Sequence, residues 1–198
     1  MLSLFINITR CYNPKDIVAS YFDFLHCVQF TFIPWTQLMD NGLLILCNHS
    51  PSKSGYHRFE NMKHEDALVS KGFIWCYFEA LNLMVINTHL QASGGEETQI
   101  AQLDEISDFI RDRKREFGCA DCKVVIAGDF NIDMKAMTID IGDCLSLTKM
   151  SDFRPTFPEE NENIDHVFTD LPISEKTTHL FQSAISDHRA LFMEMSVA

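Results

Sequence analysis

A chain of 198 residues that is 46% hydrophobic and 22% charged has enough apolar material for one domain with its own core, and too much for a disordered polyelectrolyte. Its formal net charge of −12 repels a polyanion, so nucleic acid is a disfavoured partner unless a local basic surface overrides that field. Seven scattered cysteines, an odd number, suit reduced thiols in a cytoplasmic-type compartment better than a disulfide framework.

The first residues show neither the basic segment nor the unbroken apolar core of a secretion signal. The apolar stretch from Phe22 to Met39 is interrupted by Asp23, His26, Gln29 and Pro34 and does not make a bilayer span. Asn13-Pro14 followed by Asp16 predicts an N-cap with proline in the first turn, opening a helix with Ile17, Tyr21 and Phe24 or Leu25 at helical spacing. An extended run follows from Val28 to Ile33. Leu43 to Cys47 reads as a buried strand, whereas the polar segment Asn48 to Glu65, with Pro51 and Gly55, predicts a long loop or irregular hairpin. Phe73 to Phe78 and Leu83 to Asn87 are strands joined by the short connection Glu79 to Asn82. Trp35, Phe59 and Trp75 are expected in the core, although any left exposed could touch lipid.

After Gly94-Gly95, Ile100, Leu103, Ile106, Phe109 and Ile110 form one apolar stripe, and Gly118 marks the helix end. Arg111, Arg113, Lys114 and Arg115 are the only basic cluster, and at the end of a helix they complement its dipole. Cys119-Ala120-Asp121-Cys122 has the spacing of half a zinc site but no second pair to close a tetrahedron. Strands return at Lys123 to Ala127, Asp165 to Thr169 and Ala190 to Met195, with loops at Pro155, Pro158 and Pro172. Strands with long loops and occasional helices predict an α+β layered sandwich in a single domain, residues 1–198.

Three polar clusters stand at the ends of these apolar runs: Asn87-Thr88-His89-Leu90, Gly128-Asp129-Phe130-Asn131 and Ser186-Asp187-His188. Side chains two apart on a strand share a face, so Asn87 projects with His89, and Asp129 with Asn131. A carboxylate beside an amide offers an acceptor for water or a cation and a donor for a phosphoryl oxygen. His188 changes charge near neutral pH, as proton transfer requires, and Asp165 could fix its tautomer. His26, His49, His57, His64, His166 and His179 are read as ordinary surface or core histidines.

From about Asn41 to Glu194 the chain resembles the endonuclease/exonuclease/phosphatase superfamily, most closely its neutral sphingomyelinase branch. The stretches that carry the likeness include Asn41 to Leu46, Asp66 with Lys71-Gly72, Asn87-Thr88-His89-Leu90-Gln91-Ala92, Gly128-Asp129-Phe130-Asn131, Ile164-Asp165 and Ser186-Asp187-His188. The resemblance implies a four-layer α/β/β/α sandwich of the DNase I type. It also implies a magnesium-dependent (or other divalent-cation-dependent) phosphodiesterase that cleaves sphingomyelin to ceramide and phosphocholine at a membrane surface. The implied location is cytoplasmic with peripheral membrane contact.

By position, His188 is then the general base, His89 stabilises phosphate or the leaving group, and Asp129 and Asn131 position water and phosphoryl oxygens. Asp165 orients His188, Asn87 and Lys71 bind substrate, and Asp187 binds the metal. Complete members also carry a first strand with an asparagine and then a Gln-Glu pair whose glutamate is a principal metal ligand. Here Asn7 lies in an apolar run, but no Gln-Glu follows before Asn41. The chain is therefore expected to lack the first strands of the sandwich, which leaves its catalytic activity open. The alternatives are a nuclease or an inositol or nucleotide phosphatase of the same fold, or an inactive homologue that only binds a partner.

Overall fold

The computed structural model describes residues 4–8, 26–28, 42–63, 71–92, 95–133, 135, 140–182 and 186–197. The expected helix from Asn13, the run from Gln29 to Ile33, Trp35, Asn41, His64, Asp66 and Gly94 lie outside them. The strands in chain order are β1 (Leu4–Ile8), β2 (His26–Val28), β3 (Leu43–Cys47), β4 (Lys53–Arg58), β5 (Gly72–Phe78), β6 (Leu83–His89), β7 (Lys123–Asp129), β8 (Thr148–Lys149), β9 (Asp165–Thr169), β10 (Ile173–Phe181) and β11 (Ala190–Val197). Among the described residues there are two α-helices, α1 (Glu96–Phe117) and α2 (Ile141–Leu145), and a 3-10 turn at Glu79–Leu81 between β5 and β6.

Six strands form one mixed sheet in the order β4-β5-β6-β7-β9-β8. Its single parallel pair, β6 with β7, follows from the connection: parallel neighbours need a crossover, and α1 supplies it. Every residue of β5 is buried because both faces of the sheet are covered. On one face α1 and α2 pack Leu103, Ile106, Ile110, Ile141 and Leu145 against Phe73, Met84, Ile86, Val124 and Ile126. Complete burial of residues such as Leu103 and Ile106 stabilises the fold by about 1.5–3 kcal/mol each, before entropic losses. Gly118 closes α1 in the left-handed region, at φ 66°, where a side chain would be strained.

On the other face lies a second layer, made of the sheet β1-β3-β2 and the hairpin β10-β11. Its core joins Leu43, Ile45 and Cys47 to Ile74, Cys76, Val85, Val125 and Val167, with Leu191, Met193 and Met195 at the margin. Residues alternate cleanly between the two cores: Phe73, Trp75 and Tyr77 face the helices, while Ile74, Cys76 and Phe78 face the second layer. The described residues thus form three layers in the order helix, sheet, sheet. β1 and β2 flank β3 on both sides, so two strands do precede the segment that begins near Asn41.

Several elements escape the hydrophobic pattern, the two-residue β8 among them. β4 runs inside the expected loop, β10 is a nine-residue strand, and α2 is a short helix. β4 and β10 are mostly polar and outwardly exposed, so they lack the apolar run that marks a strand with both faces buried. α2 is only five residues long, too short for periodicity, and its Asp140 cap accepts from the Gly142 N–H at 2.7 Å.

Candidate active site

Strand register alone gathers three of the expected residues. His89 at the end of β6 is paired with Asp129 at the end of β7, and Asp129 with Asp165 at the start of β9. Directly opposed residues in neighbouring strands present their side chains on one face, so the three stand in a row. Gly128 permits this alignment: at φ 146° it lies where its Cβ would collide with the Thr88 carbonyl oxygen of β6. His188 arrives from the turn just before β11, where the Ser186 hydroxyl accepts its backbone N–H at 3.1 Å. Arg189 braces that turn, its N–H donating to the Thr156 carbonyl at 2.7 Å and its guanidinium to the Pro155 carbonyl at 3.0 Å.

His188 Nδ1 lies 2.8 Å from Asp165 Oδ2, and its Nε2 faces Asp129 Oδ2 at 4.0 Å. The same Asp129 oxygen is 3.5 Å from His89 Nε2, and the other oxygen accepts the Asn131 N–H at 2.8 Å. Asn131 sits in the left-handed region at φ 49°, which asparagine tolerates, and its side-chain amide donates to the Leu90 carbonyl at 2.9 Å. Lys71, 4% exposed, donates to the same carbonyl at 2.8 Å and to His89 Nε2 at 3.1 Å. An ammonium has no lone pair, so His89 Nε2 is the acceptor in that contact and the ring is neutral with its proton on Nδ1. Asp165 is fixed in turn through its backbone N–H, which donates to Thr156 Oγ1 at 3.0 Å, and the Phe157 ring lies 5.1 Å from that of His188.

The electrostatics are unbalanced. Burial pushes the Asp129 carboxyl up to about 7, the nearby charge of Asp165 adds to this, and His188, the Asn131 N–H and Lys71 only partly oppose it. For His188, burial disfavours the charged ring, but the hydrogen bond and charge of Asp165, with Asp129 and Asp187 behind them, outweigh it and raise the imidazole to about 9. His166, next to Asp165 in sequence, behaves in the opposite way. It points away from the cluster, its Nε2 lies 2.9 Å from the Ile132 carbonyl oxygen, and burial lowers it to about 4, a neutral core histidine as expected.

Two expected residues stand apart from the row. Asn87 is fully buried, and its amide donates to the Leu44 carbonyl at 3.1 Å, tying the six-stranded sheet to β3. Asp187 is exposed on the turn and outside the converging group. That group is Asp129, Asp165 and His188, whose ligand atoms all lie within 4.8 Å of one another. Two crowded carboxylates with one imidazole suit a hard divalent cation. Such an ion offsets the burial and the repulsion from Asp165 that raise Asp129, and a donor set this small leaves positions for water and a phosphoryl oxygen. Residues the sequence did not single out are Thr156, Phe157 and Arg189, which hold the two halves of the His188–Asp165 pair. They sit in a proline-rich loop and a turn, with no spacing that marks them.

No protein-family model matches the sequence, and no curated protein matches it. Solved structures do match in three dimensions. The Staphylococcus aureus beta toxin superposes with a TM-score of 0.67 at 19% identity, over 82% of this chain and 70% of that one. SmcL gives 0.64 at 17% identity, over 79% and 69%. Sphingomyelinase C from Streptomyces griseocarneus gives 0.54 at 15% identity, over 79% and 65%. A beta toxin variant with a TM-score of 0.55 carries bound magnesium ions. At these identities the likeness establishes a shared fold.

Proposed function

We propose that this chain, whose fold is that of the endonuclease/exonuclease/phosphatase superfamily, is a divalent-cation-dependent phosphodiesterase acting on a sphingomyelin-type lipid, releasing ceramide and phosphocholine. The observation that carries the reading is the His188 ring, held by Asp165 at Nδ1 and directed by Nε2 toward the buried Asp129 carboxylate. An imidazole with one nitrogen anchored by a carboxylate and the other left 4.0 Å from Asp129 Oδ2 is built to move a proton.

In the proposed reaction water attacks phosphorus, His188 Nε2 takes the proton of the attacking water, and the bond from phosphorus to the ceramide oxygen breaks as that oxygen takes a proton delivered through the His89 Nδ1–H. With the ring held near 9 the imidazole is charged at neutral pH; a cation at Asp129 and Asp165 would offset the carboxylate charge that raises it, and Asp165 then holds the neutral ring in the tautomer that leaves Nε2 free for this. Asp129 and Asp165 are the proposed cation ligands, with Asp187 adding charge from the rim. A divalent cation, for which magnesium is the natural candidate, supplies charge neutralisation at the phosphoryl oxygens. Asn131 holds Asp129 through its N–H and locks the loop through Leu90, while His89, backed by the Lys71 ammonium, faces the leaving-group oxygen. Asn87 keeps the two sheets in register behind them.

A lipid substrate is supported by the shared fold of sphingomyelinase C and by the charge of −12, which disfavours a nucleic-acid track. Among the described residues no helix is long and apolar enough to cross a membrane; the proposed action is at a membrane surface, in the cytoplasmic setting that an odd number of scattered cysteines suits. The test is phosphocholine release from sphingomyelin in mixed micelles with magnesium. The intact chain is expected to release it and His188→Ala is not; equal rates remove the assignment.

A further inference from the structure

Helix α1 does more than cover the sheet. Along one of its edges Gln99, Gln102 and Glu105 recur every three residues, and each binds loop backbone at the site end of the sheet. Glu105 accepts the N–H groups of Glu60 and Asn61, both at 2.9 Å, and Gln102 accepts the Gln91 N–H at 2.9 Å while donating to the Asn61 carbonyl at 2.7 Å. Gln91, 1% exposed, closes a two-way amide pair with Lys63, accepting from its N–H at 2.8 Å and donating to its carbonyl at 2.9 Å.

Gln99 occupies the decisive place in this row. Its Nε2 donates to the Gln91 carbonyl at 3.0 Å and to the Asn131 carbonyl at 2.8 Å. Both partners are acceptors, so the orientation of the amide is forced rather than chosen. Gln91 follows His89 by two residues on the loop leaving β6, and Asn131 follows Asp129 by two on the loop leaving β7. One NH2 group therefore spans the two strand-end loops that bear the site's second histidine and its buried carboxylate. The Asn131 amide on the Leu90 carbonyl, at 2.9 Å, and the Leu90 N–H on the Asp129 carbonyl, at 2.9 Å, join the same strand ends nearer the site.

We infer that Gln99 is a positioning residue that sets the spacing of His89 against Asp129 without touching substrate. The inference rests on the phosphodiesterase reading for its effect on rate, and on geometry alone for its effect on the loops. With the donor removed, two carbonyls lose their clamp and the loops can separate by fractions of an ångström, which is enough to misplace reacting groups.

The test compares the full chain with Gln99→Met, which keeps the length and removes the donor, and Gln99→Glu, which sets a carboxylate against two carbonyl oxygens. Amide hydrogen exchange is expected to accelerate roughly tenfold at Leu90, Gln91 and Asn131 in both variants, with β5 and the centre of β7 unchanged. Phosphocholine release is expected to fall roughly 10- to 100-fold through kcat with KM retained, and further in Gln99→Glu than in Gln99→Met. Unchanged exchange at those three amides overturns the inference. So does faster exchange spread evenly through β5 and β7, which is plain destabilisation. If the unaltered chain releases no phosphocholine while the local exchange effect holds, the substrate assignment fails and the loop clamp stands.

Discussion

The two ends of the six-stranded sheet treat charge in opposite ways. At the end where β6 and β7 finish, Asp129 is buried beside Asp165, and the charges that oppose its burial are the His188 imidazole and the Lys71 ammonium rather than a matched salt bridge. At the other end a cleft of about 410 Å³ lies between α1, α2 and the start of β7, rimmed by Arg111, Lys114 and Arg115. The cleft is a concavity, but its cations are already matched: Arg111 with Asp108 at 2.5 Å, Arg115 with Asp112 at 2.6 Å and Lys114 with Asp170 at 3.8 Å. Exposed pairs of that kind contribute little and ask for no ligand. Crowded, buried charge that awaits a counter-ion is the better mark of chemistry than the volume of a hollow.

That contrast is broken or sharpened by substitution. His188→Ala is expected to lower phosphodiester hydrolysis by roughly 10²- to 10⁴-fold while leaving the circular dichroism spectrum intact, since the ring is partly exposed and outside both cores. Asp165→Asn keeps the shape but replaces an acceptor that fixes the His188 tautomer, and hydrolysis should fall about 100-fold in kcat with the same thermal midpoint. If either variant retains full rate, the site end of the sheet is not the catalytic end.

Away from the row, Glu105 links α1 to the loop after β4. Burial opposes its charge, but hydrogen bonds from His57, the Glu60 and Asn61 N–H groups and the Asn61 side chain prevail and lower it to about 2. A carboxyl held below its unfolded value of 4.5 contributes stability above that pH and loses it as pH falls toward 2. Glu105→Gln should therefore cost about 1–3 kcal/mol near pH 7, and thermal melts of the two proteins should converge as the pH falls to about 2–3. At the far end, Arg115→Ala should change stability by less than about 0.5 kcal/mol and hydrolysis not at all. A large loss of activity there would mean that the cleft, not the carboxylate row, takes part in the reaction.

Much of this was legible in the sequence because apolar runs locate strands and polar residues at their ends locate sites. Leu83 to Asn87 and Lys123 to Ala127 were visible as strands, and the structure extends each by two residues to His89 and Asp129. The pairing of His188 with Asp165, 23 residues apart, followed only from chemical role, yet the two meet at 2.8 Å. β10 was not legible, because Ser174 to Thr177 point to water and carry no apolar alternation. Nor was the burial of Asn87, since period-two alternation gives the face of a residue but not what lies opposite, here the Leu44 carbonyl of another sheet. The tethers formed by Gln91, Gln99 and Gln102 were invisible for a related reason: amide side chains bind backbone, which leaves no partner residue type to search for.

The most direct test of the account is calorimetric titration of the chain with magnesium, set beside Asp129→Asn. One saturable site at micromolar to millimolar affinity, weakened at least about tenfold in the variant, is the predicted result. Failure of the unaltered chain to bind at millimolar concentration, or equal affinity in the two proteins, would contradict the claim that Asp129 and Asp165, beside His188, hold a cation.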